Sequence, residues 1–215
     1  MVSENYRLQF ITHFNEHYSY IDSARLALEG GCRWIQLRMK GVENSLFEES
    51  AIVVQRLCWD YGATFIINDN VSVAEKIGAD GVHLGKNDMS IAEARKVLGK
   101  KFVIGFTVNS FDDILSCAGN MAPDYFGCGP FRFTSTKQNL APLLGCEGYR
   151  HIVQKMRDNN IGIPLVAIGG ICRADVAGLL KCGVDGIAFS GCILNSANPA
   201  REMKDIADSF LTIHK

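Results

Sequence analysis

The sequence predicts a single (β/α)8 (TIM) barrel spanning all 215 residues. Apolar runs alternate with amphipathic stretches along the whole chain, which is the pattern of βα units. Eight such runs can be counted, and eight is the strand number of this barrel. Two passages, 78–85 and 183–190, are near copies of each other. An internal repeat of this kind favours a closed ring of similar units over an open dinucleotide-binding sheet.

The predicted strands are short apolar runs with few polar residues inside them. They cover residues 8–12, 34–39, 64–68, 81–84, 102–107, 125–128, 164–168 and 186–190. The longest irregular segment, 131–147, follows the sixth of these runs and begins after Pro130. A loop of that length in a barrel is expected at the carboxyl ends of the strands, where active sites are built.

The predicted helices are amphipathic, and several end at a glycine just before the next strand. They cover residues 21–29, 46–61, 71–77, 91–98, 111–118, 148–159, 174–181 and 200–210. The terminal glycines are Gly30, Gly31, Gly62, Gly78, Gly99 and Gly183. Glycine adopts the left-handed conformation of a helix end without a side-chain clash, so the helix-to-strand connections are predicted to be short.

Composition indicates a globular cytoplasmic protein. The chain is 47% hydrophobic and 21% charged, with a formal net charge of -1. That balance gives no reason to expect a nucleic acid or a membrane as partner. No basic stretch followed by an apolar one marks the start of the sequence, and no apolar run is long enough to cross a bilayer. The oligomeric state stays open between a monomer and a homo-oligomer.

Cysteine and histidine spacing argues against a zinc site or a disulfide framework. None of the eight cysteines forms a Cys-x-x-Cys pair, so we expect reduced thiols that behave mostly as small core residues. His13 and His17 are four residues apart, as helical zinc ligands would be. Because they follow a predicted strand and lie beside turn residues, a surface loop is the preferred interpretation.

Polar residues alternate in the second predicted strand. Gln36, Arg38 and Lys40 would all face one side of that strand, while Leu37 and Met39 face the other. The pattern predicts two cations and an amide at the mouth of the barrel. A solvated face of an edge strand would produce the same alternation.

Two aspartates follow neighbouring predicted strands. Asp69 ends the third run and Asp88 follows the fourth, so both are expected at the same rim. Two carboxylates with substrate phosphate and water suit Mg²⁺. The alternative is that each aspartate merely caps the helix after it.

The segment after the sixth strand carries hydroxyls and a cation. Thr134, Ser135, Thr136 and Lys137 offer the groups that a phosphate ester requires, although loops rich in serine and threonine also occur without ligands.

The last two predicted strands end in segments typical of phosphate binding. Gly169 and Gly170 follow the seventh strand, and Ser190 and Gly191 lie at the end of the eighth. Barrels often bind phosphate at this position through backbone amides and a helix N-terminus. The glycines could instead only make tight turns. A metal zone with a separate metal-free phosphate zone predicts two phosphorylated substrates or one bisphosphate.

Several motifs, in order, carry a family resemblance. They are Gln-Leu-Arg-Met-Lys at 36–40, Ile-Asn-Asp-Asn at 67–70, Gly-Ala-Asp-Gly-Val-His-Leu-Gly-Lys-Asn-Asp at 78–88, Gly-Pro-Phe-Arg-Phe-Thr-Ser-Thr-Lys at 129–137 and Ala-Ile-Gly-Gly-Ile at 167–171. Together they resemble thiamine-phosphate synthase over about residues 8–195. The Asn-Asp pair followed by the 78–88 motif is highly specific, whereas the Gly-Gly and Ser ends occur in many phosphate-binding barrels.

The resemblance implies a role for each matching residue. The positions that hold the diphosphate of a hydroxymethylpyrimidine substrate are matched by Gln36, Arg38, Lys40, Asn68 and Lys137, with Thr107 as a hydroxyl contact. Asp69 and Asp88 match the Mg²⁺ ligands. The thiazole phosphate site is matched by Thr134, Thr136, Gly169, Gly170, Phe189 and Ser190.

The implied reaction is substitution at the pyrimidine methylene by the thiazole nitrogen, with pyrophosphate leaving by a dissociative path. Arg38, Lys40 and Lys137 would act catalytically by stabilising the charge that develops on the leaving group.

The sequence departs from the family pattern at four places. Thr107 replaces a serine in a Ser-x-His context, so the histidine is absent, and Lys86 and Asn70 replace a glutamine and an arginine. The segment 138–147 is longer than usual. These changes put substrate affinity and loop closure in doubt.

Two other functions remain. One is a thiazole tautomerase, which would need neither the metal pair nor the residues that hold the diphosphate. The other is a non-catalytic barrel that binds thiamine precursors.

Overall fold

The computed structural model describes residues 7–119, 122–133 and 142–212 and forms a closed barrel. All neighbouring strands are parallel, and β1 pairs with β8 to close the ring. The predicted (β/α)8 fold is therefore confirmed. The strands are β1 Leu8–Ile11, β2 Trp34–Leu37, β3 Thr64–Asn68, β4 Gly81–Leu84, β5 Val103–Val108, β6 Tyr125–Cys128, β7 Leu165–Ala167 and β8 Gly186–Phe189.

Helices connect the strands around the outside of the barrel. They are α1 Tyr20–Glu29, α2 Asn44–Asp60, α3 Val71–Ile77, α4 Ile91–Leu98, α5 Phe111–Cys117, α6 Gly145–Asp158, α7 Val176–Lys181, α8 Gly191–Leu194 and α9 Pro199–Thr212. Serines at 19, 90 and 110 begin α1, α4 and α5 with reciprocal capping boxes. These caps satisfy the first amide groups and fix where each helix starts.

Two apolar cores lie on opposite faces of the sheet. The smaller one fills the barrel interior and is built from Trp34, Ile66, Tyr125, Val166, Ile168 and Ala188. The larger one packs the outer face of the sheet against the helices and includes Leu37 and Phe189. Every second residue of a strand faces the same side of the sheet. Gln36 therefore faces the barrel interior, as Trp34 does, and Asn68 faces it as Ile66 does.

Closure with parallel strands brings every strand's carboxyl end to one rim. The register aligns Asn68 with His83 and His83 with Gly105, so polar positions of β3, β4 and β5 stand side by side. The expected gathering of strand-end residues therefore follows directly from the topology.

The cysteines divide between core and partly exposed positions, and the two histidines with helical spacing lie outside helices. All eight cysteines are free, and four of them are buried. His13 and His17 lie in the irregular segment between β1 and α1. Across the described residues, no helix combines the length and the apolar character needed to cross a bilayer.

Candidate active site

The ends of β2, β3 and β4 bring an ammonium and two carboxylates into contact. Lys40 forms an ion pair with Asp69, and the side chain of Asp69 also contacts that of Asp88. Asp88 additionally accepts a hydrogen bond of 2.7 Å from the Gly85 amide, which fixes its carboxylate. Three of the residues singled out from the sequence, Lys40, Asp69 and Asp88, thus form one connected group.

The backbone and electrostatics of Asp69 are both unusual. Its φ of 63° lies in the left-handed region, which residues other than glycine rarely adopt. Burial raises the pKa of the Asp69 carboxyl; the Lys40 ammonium lowers it, and the neighbouring Asp88 carboxyl raises it again. Two carboxyl groups in contact cannot both ionise easily without a cation or a shared proton between them.

The helix-capping alternative does not account for the two aspartates. The side chain of Asn70 caps α3 by accepting from the Val73 amide at 3.0 Å. Ser90 caps α4. Since neighbouring residues perform the capping, the contact between Asp69 and Asp88 needs another explanation.

The donor chemistry of this pair fits a hard divalent cation. Within the parts of the chain that the structure describes, no group of three or more histidine, cysteine, aspartate or glutamate side chains could hold a metal. Mg²⁺ commonly uses one or two carboxylates and completes its shell with phosphate oxygens and water. A pair of aspartates is therefore a sufficient protein contribution.

Arg38 lies at the same rim, next to the end of β1. Its amide donates to the Thr12 hydroxyl at 2.9 Å, and that hydroxyl contacts the Arg38 carbonyl at 3.3 Å. The guanidinium is partly exposed. Burial lowers the pKa of the His13 imidazole, and the nearby Arg38 charge lowers it further. Arg38 therefore presents its charge at the mouth of the barrel.

A chain of buried polar side chains crosses the barrel interior below this rim. The Gln36 amide donates to Gln9 at 3.3 Å, and the Gln9 amide donates to the Tyr125 hydroxyl at 3.4 Å. His83 contacts Tyr125 through Nδ1 and Thr107 through Nε2, both at 2.9 Å. Two predicted site residues, Gln36 and Thr107, are thus the two ends of one network.

Interior glycines make room for this network. A Cβ at Gly105 would lie 2.2 Å from the Tyr125 ring and 2.5 Å from His83 Nδ1. A Cβ at Gly127 would lie 2.8 Å from His83 Cε1. Both distances are far below van der Waals contact, so these two strand positions require glycine.

Sequence reasoning gave no role to Gln9, His83 or Tyr125. A histidine inside a four-residue buried strand was the available signal, because a buried imidazole needs hydrogen-bond partners. Its partner Tyr125 is 42 residues away and on a non-adjacent strand. The two side chains meet across β5, over Gly105, whose missing side chain leaves the space between them.

Gly169 and Gly170, predicted to bind the second phosphate, have a clear steric reason to be glycine. Their φ angles are 94° and 69°, and a Cβ on either would clash with Pro130 or Arg132. The glycines therefore serve close packing between the segments after β6 and β7. A role in phosphate binding remains a prediction.

At the end of β8, mainly backbone groups rather than side chains face the rim of the barrel. Phe189 is buried in the outer core, so only its backbone faces the rim, while Ser190 is partly exposed. The following helix α8 has only four residues and was not anticipated, because so short a helix shows no periodicity. Any anion here would depend on backbone amides and the Ser190 hydroxyl.

Four residues predicted to bind phosphate lie outside the described residues, namely Thr134, Ser135, Thr136 and Lys137. The departures from the family pattern do have structural partners. Lys86 forms an ion pair with Asp113 at 2.6 Å, and Asn70 caps α3.

Comparison with known proteins identifies the family. The profile described as thiamine monophosphate synthase matches residues 8–193. A thiamine-phosphate synthase of Phocaeicola vulgatus is 56% identical over 206 residues, covering 96% of this chain and 99% of that protein. One from Bacteroides fragilis is 52% identical, covering 93% and 97%. The structure of a thiamine phosphate pyrophosphorylase from Pyrococcus furiosus matches with a TM-score of 0.85 at 32% identity, covering 98% of each chain. The chain therefore belongs to the thiamine monophosphate synthase family.

Proposed function

We propose that the protein is a transferase, a thiamine-phosphate synthase. It joins 4-amino-5-hydroxymethyl-2-methylpyrimidine diphosphate to thiazole phosphate, giving thiamine phosphate and pyrophosphate. Family membership and relatives of that name support the assignment. The observation that carries it is the contact of Lys40, Asp69 and Asp88 at the rim that also bears Arg38.

The reaction breaks one bond and forms another at the pyrimidine methylene carbon. The bond to the diphosphate oxygen breaks, and both of its electrons leave with pyrophosphate. The lone pair of the thiazole nitrogen forms the new carbon–nitrogen bond, which leaves the positive charge on the thiazolium. Because negative charge grows on the leaving group, fixed cations stabilise the transition state more than the bound substrate.

We assign that stabilisation to Arg38, Lys40 and Lys137. Arg38 and Lys40 follow the same strand, and the contact with Asp69 orients the Lys40 ammonium at the rim. Preorganised donors of this type are typically worth on the order of 100- to 1000-fold in rate each. Chemistry of this kind needs no nucleophilic side chain.

Asp69 and Asp88 would hold Mg²⁺. When bound there, the ion would neutralise charge on the diphosphate. The protein's own contribution is a pair of carboxylates fixed by the Gly85 amide and by Lys40, in a partly buried position. Burial and, to a lesser extent, the neighbouring Asp88 carboxyl raise the pKa of Asp69, and a cation bound between the two carboxylates would offset both effects.

The remaining assignments divide the mouth into two zones. Gln36, Asn68 and Thr107 would bind the pyrimidine diphosphate from the interior face of β2, β3 and β5. A hydroxyl both donates and accepts, so Thr107 can contact His83 and a phosphate oxygen together. The thiazole phosphate zone would use backbone at Gly169, Gly170 and Phe189 with the Ser190 hydroxyl, together with Thr134 and Thr136.

A pyrophosphate-release assay separates this function from the two others. We expect release only when both substrates and Mg²⁺ are present, in a one-to-one ratio with thiamine phosphate, and its abolition by EDTA. A thiazole tautomerase would convert the thiazole phosphate alone and release no pyrophosphate. A non-catalytic binder would bind either substrate without turnover, and either result would refute the proposal.

A further inference from the structure

The segment after β6 is hydrogen-bonded to the segment after β7 at three consecutive carbonyls. The Phe131 amide donates to the Ile168 carbonyl at 2.9 Å, and the Arg132 amide donates to the Gly169 carbonyl at 3.1 Å. The Arg132 guanidinium donates to the Gly170 carbonyl at 3.2 Å. These three bonds fix the orientation of successive peptide planes.

That orientation determines where the next amides point. In a trans peptide the carbonyl of one residue and the N–H of the following residue lie on opposite sides. Because the carbonyls of 168, 169 and 170 face the Phe131–Arg132 segment, the N–H groups of 169, 170 and 171 face away from it. Successive N–H groups in a turn with positive φ are suited to binding an anion.

The Arg132 side chain also holds this segment through Asp175. Its two terminal nitrogens pair with the two oxygens of Asp175 at 2.8 and 2.6 Å, which is the fork geometry that only arginine offers. The same carboxylate accepts from the Cys172 amide at 2.8 Å. Arg132 and Asp175 therefore hold the glycine segment at both of its ends.

We propose that Arg132, acting through Asp175, is the positioning residue of the second phosphate site. Its side chain fixes the peptide between Gly170 and Ile171, and the main-chain bonds from 131 and 132 fix the two peptides before it, so that the amides of 169–171 face the phosphate monoester of the thiazole substrate. The inference rests on the proposed function, because it specifies which residue shapes the site for the second substrate. Arg132 does not need to contact the ligand, since both of its terminal nitrogens are directed at Asp175.

Steady-state kinetics of Arg132→Gln, Asp175→Asn and the double variant test the pair. We expect each single variant to raise KM for thiazole phosphate by about tenfold, since small misplacements of binding groups have costs of this size. KM for the pyrimidine diphosphate should stay within about twofold, because two of its three assigned cations, Arg38 and Lys40, follow β2 rather than the segment that carries Arg132. The double variant should resemble the single ones, as expected for partners that act as a unit.

Two further variants separate positioning from a general loss of stability. Arg173→Gln is the matched control, since Arg173 is as exposed as Arg132 (48% and 46%) and pairs with Asp205 on α9 at 2.6 Å. It should leave both KM values unchanged. Arg132→Lys keeps the positive charge but cannot form the two parallel bonds to Asp175. Its KM for thiazole phosphate should therefore lie between those of the wild-type protein and Arg132→Gln.

Three kinetic outcomes would overturn the inference. They are an unchanged KM in Arg132→Gln, an equal rise in Arg173→Gln, or additive effects of the two single variants, which would mean that Arg132 and Asp175 act independently. A binding measurement keeps the test independent of turnover. With Mg²⁺ and pyrophosphate filling the first zone, inorganic phosphate should bind the wild-type protein more tightly than Arg132→Gln. Absent turnover in the wild-type protein would refute the proposed function, while this comparison would still decide on the positioning role.

Discussion

At the residue scale, Asp69 concentrates the features expected of a functional position. It combines a left-handed backbone, partial burial and contact with both a cation and a second carboxyl group. The left-handed backbone, the burial and the second carboxyl group each cost stability, and such costs persist mostly at functional sites. The structure thus retains at Asp69 an arrangement that a bound cation would make favourable.

Replacing Asp69 with asparagine should separate folding from metal binding. Asparagine keeps the shape, tolerates the left-handed conformation and removes the repulsion with Asp88. We expect the free energy of unfolding of the metal-free protein to change by no more than about 1 kcal/mol. The rise in melting temperature produced by Mg²⁺ with pyrophosphate should disappear. Asp60→Asn, at an exposed aspartate paired with Arg56, should keep that rise, and an undiminished rise in Asp69→Asn would contradict the assignment.

Thr107 tests the buried network at the same scale. Thr107→Val removes the hydroxyl that His83 Nε2 contacts at 2.9 Å, and losing a buried hydrogen bond costs about 1–3 kcal/mol. Thr107→Ser keeps the hydroxyl, so its free energy of unfolding should be clearly higher than that of Thr107→Val. Urea unfolding of the two variants measures the difference, and equal stabilities would show that the contact contributes nothing.

At the element scale, the β strands position the site through their interior glycines. β5 and β6 contribute Gly105 and Gly127, whose missing side chains leave space for His83 and Tyr125. The network therefore depends on how closely the strands approach around the ring.

Gly105→Ala should destabilise the barrel. The added Cβ would lie 2.2 Å from the Tyr125 ring, and overpacking of this kind typically costs about 1–3 kcal/mol. Gly162→Ala is the matched control, because a Cβ there meets nothing within 4 Å. Chemical denaturation should show a loss in the first variant and about 0.5 kcal/mol or less in the second. Similar stabilities for both would contradict the packing described.

The elements also show what the sequence could and could not predict. The β3, β4 and β6 ranges are as predicted, because apolar runs and flanking turn residues mark them clearly. α6 begins at Gly145 rather than 148, because weak hydrophobic periodicity in its first turn hid the start. The Lys40–Asp69–Asp88 group was predictable from strand order. The His83–Tyr125 contact was not, because it joins the strands on either side of β5 and depends on the missing side chain of Gly105 between them.

At the scale of the whole molecule, one rim carries both proposed substrate zones. β2, β3 and β4 provide the cations and carboxylates, and the glycine segment after β7 lies beside β8. The polar network from Gln36 to Thr107 crosses the interior beneath them. A closed barrel can therefore place a diphosphate and a second phosphate over a common floor.

The most direct test of this account is the rate of pyrophosphate release as Mg²⁺ is raised, in the wild-type protein and in Asp69→Asn/Asp88→Asn. With both substrates present, the wild-type rate should climb from background to a plateau. The double variant, correctly folded by circular dichroism, should stay at least about 100-fold slower at every concentration. Equal plateau rates in the two proteins would contradict the role assigned to this carboxylate pair.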